Sequence, residues 1–335
     1  MNIKSMQTKA IHIILIFLYL VLCNVRSTNA VEKVIIDTDA GADDAVAILL
    51  ILQSECKGID LLAITCTYGN TLLENVVTNV LKILTIANKT NIPVYKGAEK
   101  PLLNKYMSDN YFGSDGFGDF NFTEKITAKV DESKHAAIAL VDLVKQYPDE
   151  ITLLSLGPST NVATAIALEP SFLKYLKNHV ILGSSVAGIG NYGPNVEFNF
   201  GLDPESNYII LNQTKSTVLF PWETVLKSYI SKDWRKNVLG KVNSTIIKFI
   251  NKADRVSLEK STRWSISDGM AAAVMIWPEL VTKSTVENVS PVIDGMARGS
   301  VIVDYSNTTG KLKNVEIVQS FNVTAFKEIL LEIFS

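Results

Sequence analysis

From residue 34 onward the chain alternates two hydrophobic rhythms. Continuous apolar runs at residues 34–36, 59–67, 93–95, 151–155 and 180–182 read as strands. Between them, residues 42–53, 72–87, 133–146 and 161–168 carry apolar side chains every three or four positions and read as helices. Strands alternating with helices predict βαβ units and a parallel sheet. The strands lack the in–out alternation of a half-solvated sheet, so helices are expected on both faces. The second half is less regular. Residues 104–120 and 183–203 are polar and glycine-rich, and loops of that length in a compact domain are commonly functional. Helices are predicted at 233–252, 268–277 and 325–334, and strand-like runs at 301–305 and 312–320. No repeat or linker interrupts the pattern. The expectation is one α/β domain over residues 31–335: a mainly parallel, doubly wound sheet flanked by helices, with a few antiparallel strands.

The first thirty residues follow other rules. Lys4 and Lys9 precede an apolar run, residues 11–23, that is too short to span a bilayer, and small residues lead to Ala30. This predicts a secretory signal peptide over 1–30, with an uncleaved anchor as the alternative. Cleavage after Ala30 removes Lys4, Lys9 and Arg26, leaving 29 basic and 34 acidic residues and a net charge of −5. With no basic block, nucleic-acid binding has no electrostatic footprint. No later segment resembles a membrane span. Sequons at Asn88, Asn121, Asn212, Asn243, Asn288, Asn307 and Asn322 also favour the secretory pathway, Asn288 least because Pro291 follows its sequon. The expected location is therefore extracellular, the product glycosylated. Of the cysteines only Cys56 and Cys66 lie beyond the leader; they could form one bridge or remain two buried thiols.

Candidate chemistry concentrates where the first strand stops. Asp37, Asp39, Asp43 and Asp44 crowd into eight residues between apolar flanks. In open α/β sheets ligands bind beyond the carboxyl ends of strands. Asp43 and Asp44 fall in a first helical turn, where the helix dipole favours negative charge. Capping accounts for one or two acids, not four. Four carboxylates suit a hard divalent cation such as calcium, which takes six to eight oxygens. A cation lowers the pKa of bound water, and a neighbouring carboxylate can take its proton. That chemistry describes a hydrolase with no Ser or Cys nucleophile.

The run from Asp37 to Ala45 resembles the N-terminal signature of the inosine–uridine-preferring nucleoside hydrolase family. Further segments resemble that family in order: Thr67 to Asn70, Pro93 to Ala98 with Pro101 and Leu102, Gly157 to Asn161, Gly190–Asn191, Glu197 to Asn199, Asp203 to Glu205, and Asp268. The resemblance implies a nucleoside hydrolase fold and the conversion of a ribonucleoside and water to free base and ribose. It implies that Asp39 is the general base, activating a calcium-bound water, and a calcium ligand. Asp44, the Thr160 carbonyl and Asp268 would be the other protein ligands. Asp43, Asn70, Asn191, Glu197 and Asn199 would hold the ribose, and Asp37 would orient the others. Glu197 and Asn199 are expected to point the same way along an extended segment. Family members are commonly homodimers or homotetramers.

The chain departs from the family at the leaving group. Many members carry a His just before the last calcium-binding Asp; here that residue is Ser267. Another frequent His is replaced by Phe112. His135 and His179 lie away from every motif. A purine can be helped out by aromatic stacking and by protonation from solvent, so purine nucleosides (inosine, adenosine) are the favoured substrates, with uridine secondary. The base-facing candidates are Phe112, Phe117, Tyr192, Trp222, Tyr229 and, foremost, Trp264. Residues 113–118 are expected to form a flap beside the site. Two alternatives stay open: a secreted nucleoside- or ribose-binding protein without turnover, and a phosphatase of the haloacid-dehalogenase type.

Overall fold

The computed structural model describes residues 31–213 and 217–335; the expected signal peptide lies outside the described residues. The first strand, β1 (Glu32–Thr38), runs parallel to β2 (Ile59–Cys66) on one side and to β4 (Ile151–Ser155) on the other. Beyond these lie β3 (Val94–Lys96), β5 (Leu176–Leu182), β6 (Thr217–Phe220), β7 (Val281–Glu287) and β10 (Val315–Phe321). The eight strands are ordered β3-β2-β1-β4-β5-β6-β10-β7, and all pairs are parallel except β7 with β10. A separate antiparallel pair joins β8 (Val289–Pro291) to β9 (Val301–Val303). The expected single α/β architecture, a doubly wound parallel sheet with antiparallel additions, is thus the observed one.

Alternation along β1 builds the two-sided core. Val34 and Ile36 enter one apolar layer with helices Ala42–Leu52, Leu73–Ile86 and Ser267–Ile276, while Ile35 enters the opposite layer with Ala136–Gln146 and Thr160–Leu168. All three are fully buried, and each such side chain contributes roughly 1.5–3 kcal/mol on burial. The strand order reverses between β1 and β4. That is the position where an open α/β sheet leaves a crevice at its carboxyl edge.

The periodicity was misleading in four places. The helix expected at 233–252 is two, Lys232–Asn237 and Thr245–Ala253, because Ser244 caps a fresh start by accepting the Ile247 N–H at 3.2 Å. The strand expected at 180–182 begins at Leu176; its polar opening, Lys177 to His179, hid it. Residues 183–203 contain a short helix, Phe198–Leu202. Strand β6 was passed over although Val218 to Phe220 form a short apolar run, and β7, with polar residues from Thr282 to Thr285, had none to announce it. Among the described residues no helix is long and apolar enough to cross a membrane, and Cys66 is a free, buried thiol rather than half of a bridge.

Candidate active site

The end of β1 aligns Asp37 between Thr65 of β2 and Ser155 of β4. Asp37 Oδ1 accepts from Thr65 Oγ1 at 2.6 Å and from Asn161 Nδ2 at 2.8 Å, and burial pushes its pKa up to about 6. Asp37 therefore braces the strand end. Two residues later Asp39 is closed in by glycines. A Cβ on Gly69 would lie 2.0 Å from Asp39 Oδ2, and one on Gly157 would lie 3.0 Å from Asp39 Cβ. Only bare backbone lets the ends of β2 and β4 approach this closely. The Asn70 N–H donates to Asp39 Oδ2 at 2.7 Å. Ala40 then turns with φ 33, an unusual conformation for a non-glycine residue, held by its N–H donating to Thr38 Oγ1 at 3.1 Å.

The helix Ala42–Leu52 begins at this turn. Asp44 Oδ2 accepts the Gly41 N–H at 2.8 Å, and its Oδ1 accepts from Thr38 Oγ1 at 2.5 Å. The helix Ser267–Ile276 packs against it and brings Asp268 in its own first turn. Single oxygens of Asp43, Asp44 and Asp268, all buried, lie within 4.8 Å of one another. Burial first, and then the neighbouring carboxylates, hold Asp39, Asp44 and Asp268 above the usual carboxylate range. Both helix N-termini aim their positive ends here, which offsets part of the repulsion.

The fit of a cation can be tested on these atoms. Asp43 Oδ1 and Asp268 Oδ1 are buried with no hydrogen-bond partner. Buried unpaired charge costs several kcal/mol per ion. An oxygen-only donor set with orphaned lone pairs suits a hard divalent cation of the calcium type. Thr160 lies outside this triplet. Its hydroxyl donates to Asp203 Oδ2 at 2.7 Å, and its carbonyl accepts from Thr164 Oγ1 at 2.8 Å.

A cavity of about 390 Å³ opens above the acids. Asp39, Asp43, Asn70, Asn191, Glu197, Asn199 and Asp268 all line it. Glu197 and Asn199 do not share an extended segment as expected. Glu197 is the N-cap of the short helix, its Oε1 accepting from Asn199 N–H at 3.0 Å and its Oε2 from Ser184 N–H at 3.0 Å and Phe200 N–H at 3.1 Å. Burial outweighs those donors and moves its pKa up to about 7. Asn199 Nδ2 donates to Leu156 O at 2.6 Å, and Asn191 Oδ1 accepts the Phe198 N–H at 2.8 Å.

Of the expected aromatics, Phe112 and Trp222 line the cavity, joined by Tyr111 and Phe198. Trp264 does not. It is buried in the core, 6.4 Å from the Trp234 ring and 5.0 Å from the Arg235 guanidinium. The reason is alternation. Along the non-helical segment entering helix Ser267–Ile276, Arg263, Ser265 and Ser267 line the cavity while Trp264 and Ile266 pack in the core. Phe117 is also core, and Tyr192 and Tyr229 lie outside the lining. Ser267, at the position of the absent His, donates to Asp43 Oδ2 at 2.8 Å. Sequence reasoning also missed Glu223. Its carboxylate accepts from Ser185 Oγ (2.7 Å), Val186 N–H (3.0 Å) and Ala187 N–H (2.8 Å), tying down the loop that carries Asn191. A carboxylate in the first helical turn, three residues past the apolar strand end at Phe220, was the available signal.

Residues 34–328 match the family described as inosine-uridine preferring nucleoside hydrolase. The chain is 30% identical over 309 residues to the pyrimidine-specific ribonucleoside hydrolase RihA of Escherichia coli O1:K1 / APEC, covering 89% of this chain and 97% of that one. It superposes on an inosine-guanosine nucleoside hydrolase with a TM-score of 0.83 at 28% identity, covering 90% of this chain and 98% of the other. It shares its fold with a purine-preferring ribonucleoside hydrolase from Gardnerella vaginalis, again with a TM-score of 0.83, at 24% identity and covering 90% and 98% of the two chains. Fold and site together define an N-glycosyl hydrolase. The chain belongs to the inosine-uridine preferring nucleoside hydrolase family, whose enzymes cleave ribonucleosides. Both alternatives, the phosphatase and the binding protein without turnover, give way to this assignment.

Proposed function

We propose that this enzyme is a secreted, calcium-dependent nucleoside hydrolase that favours purine nucleosides. The observation that carries the base preference is the cavity wall. Beyond the acid end it presents Tyr111, Phe112, Phe198 and Trp222, flat or apolar surfaces suited to a large planar base. Relatives divide on this point, one being pyrimidine-specific by name and others purine-directed.

Asp43, Asp44 and Asp268, with Asp39 beside them, would hold the calcium ion. When bound, calcium supplies a Lewis acid that lowers the pKa of water and fixes ribose hydroxyls. Asp39, immobilised by the Asn70 N–H, accepts the proton of the attacking water. Asn191, Glu197 and Asn199 orient the ribose, and their oxygens meet the positive charge that develops on the sugar as the C1′–N bond lengthens. The bonding pair leaves with the base, which takes its proton from solvent while stacked on the aromatic wall. Hydroxide equivalent adds to C1′, giving ribose and free base.

Six of the sequon asparagines, at 88, 121, 212, 243, 307 and 322, are exposed and available for glycosylation. Asn288 is buried, with its Nδ2 donating to Leu312 O at 2.8 Å. The secretory reading is supported by that exposure together with the leader-like N-terminus. We expect a homodimer or homotetramer, as the family resemblance suggests.

The test is chromatographic detection of free base from inosine, adenosine, uridine and cytidine, with calcium and then with a chelator. Calcium-dependent hypoxanthine and adenine with little uracil is the expected result. Rapid uracil release would overturn the purine preference, and undiminished turnover in the chelator would overturn the metal requirement.

A further inference from the structure

We infer that Arg263 reads the edge of the base, and that the enzyme is selective for 6-oxopurine nucleosides (inosine and guanosine) over adenosine. This deepens the purine reading above and rests on it. Two cations line the cavity, Lys260 and Arg263. Lys260 is committed elsewhere: its ammonium donates to Asn110 O at 2.5 Å and to Tyr111 O at 3.1 Å, holding the segment that presents Tyr111 and Phe112. Arg263 is held but not consumed. Its backbone N–H donates to Ser261 Oγ at 3.2 Å, its Nη1 donates to Leu226 O at 3.1 Å, and its Cζ stands 5.3 Å from the centroid of the Tyr229 ring. The backbone contact anchors the residue, the Leu226 and Tyr229 contacts orient the guanidinium, and only Nη1 is engaged in a fork that offers several donors and no acceptor.

Arg263 shares the cavity face with Ser265 and Ser267, while Ser267 touches Asp43 at the acid end. The same segment therefore runs from the ribose-binding acids to the base wall. The edge of a 6-oxopurine presents two adjacent acceptors, O6 and N7, and a guanidinium pairs with both at once. Adenine replaces O6 with an amino donor, which faces the arginine donor to donor. The hydrogen bond to N7 also strengthens as the base gains electrons from the breaking bond, so it lowers the barrier as well as selecting the substrate.

The experiment compares kcat/KM for inosine, guanosine and adenosine in the calcium-loaded parent, Arg263→Gln and Arg263→Lys. It adds 7-deazainosine, in which carbon replaces N7. The parent should prefer inosine and guanosine over adenosine by about tenfold or more. Arg263→Gln should collapse that ratio by about tenfold or more, Arg263→Lys should restore part of it, and 7-deazainosine should be a poor substrate for the parent. Equal use of adenosine and inosine by the parent would overturn the assignment. So would an Arg263→Gln protein that slows all three nucleosides alike, or a parent that cleaves 7-deazainosine as fast as inosine. Should Arg263→Gln fail to fold, the parent's selectivity and the 7-deazainosine rate decide. No base from any nucleoside would instead remove the hydrolase reading, and this assignment with it.

Discussion

The two ends of the cavity are built differently. The acid end hangs on strand ends and helix first turns: Asp39 just past β1, Gly69 and Gly157 after β2 and β4, and Asp44 and Asp268 opening two packed helices. The base end is assembled from four separate segments, contributing Tyr111 and Phe112, Phe198, Trp222 and Leu226, and Lys260 and Arg263. Strand ends and helix first turns give the positional accuracy that catalysis needs, while a wall drawn from short helices (Phe198–Leu202, Trp222–Lys227, Arg255–Lys260) and the loops beside them can exchange side chains without disturbing those strands, and so vary the base it accepts. Chemistry in this enzyme therefore sits at the acid end and selectivity at the base end, and substitutions should separate the two.

The largest effect is expected at Asp39. Asp39→Ala should lower kcat by about a thousandfold or more, since the proton acceptor goes. The protein should still fold, because a buried carboxylate flanked by Asp43 and Asp44 is removed, which relieves repulsion. Base release and a thermal melt measured together check both halves. Near-parental turnover in folded protein would sink the proposed mechanism. Gly69→Ala should come next. The new Cβ must displace Asp39 Oδ2, which lies 2.0 Å from its position. Misplacing a reacting group by about 1 Å costs on the order of a hundredfold, so kcat should fall that far while KM changes little.

The tryptophans sharpen the contrast from the other side. Trp222 lines the cavity and Trp264 does not. Trp222→Ala should weaken purine binding by about 1–3 kcal/mol, the worth of one base–aromatic stack, seen as a raised KM. Trp264→Ala should cost roughly 3–5 kcal/mol of stability, as for a large core truncation, without altering the choice among bases. Denaturant unfolding and KM values for inosine and uridine distinguish the two. A base-selective defect in Trp264→Ala would reverse the assignment of the two residues.

The same division explains what could be read from the chain itself. The acid end was legible because its residues are neighbours in sequence, or stand at helix starts, where patterning and capping chemistry speak directly. Asp37, Asp39, Asp43 and Asp44 need no tertiary information to be suspected, and the strand–helix alternation that predicts the sheet also predicts where they must sit. The base end was not legible in that way. Trp264 drew attention by lying near Ser267, yet odd and even positions of this segment fall on opposite sides, and its side is the core. Counting back in twos from Ser267 would have pointed to Ser265 and Arg263. Tyr111, Leu226 and Lys260 meet only through the packing of distant segments, which no local pattern encodes. Strand β5 was half missed because His179 interrupts its apolar run.

His179 offers the smallest predicted effect and separates acid sensitivity of the fold from acid sensitivity of the site. It is buried between the sheet and its helices, with Nε2 2.9 Å from Ser155 Oγ and Nδ1 without a partner. Burial lowers its pKa to about 3, against 6.5 for the exposed side chain. The sign follows from which state holds the proton. Above about pH 6.5 neither folded nor unfolded chain is protonated here, and the residue adds no pH dependence. Between about pH 6.5 and 3 the unfolded chain binds a proton that the folded chain refuses, so stability falls as pH falls, by about 1.4 kcal/mol per pH unit. At pH 5 this amounts to about 2 kcal/mol. His179→Leu gives up the contact to Ser155, worth about 1 kcal/mol, so it should be slightly less stable than the parent at pH 7.5 and more stable at pH 5. Denaturant melts at the two pH values measure this directly. A variant whose stability falls with acid as steeply as the parent's would place the acid sensitivity of the fold elsewhere than His179, and not in the buried carboxylates around the cavity, whose raised pKa values make the folded state gain stability as pH falls.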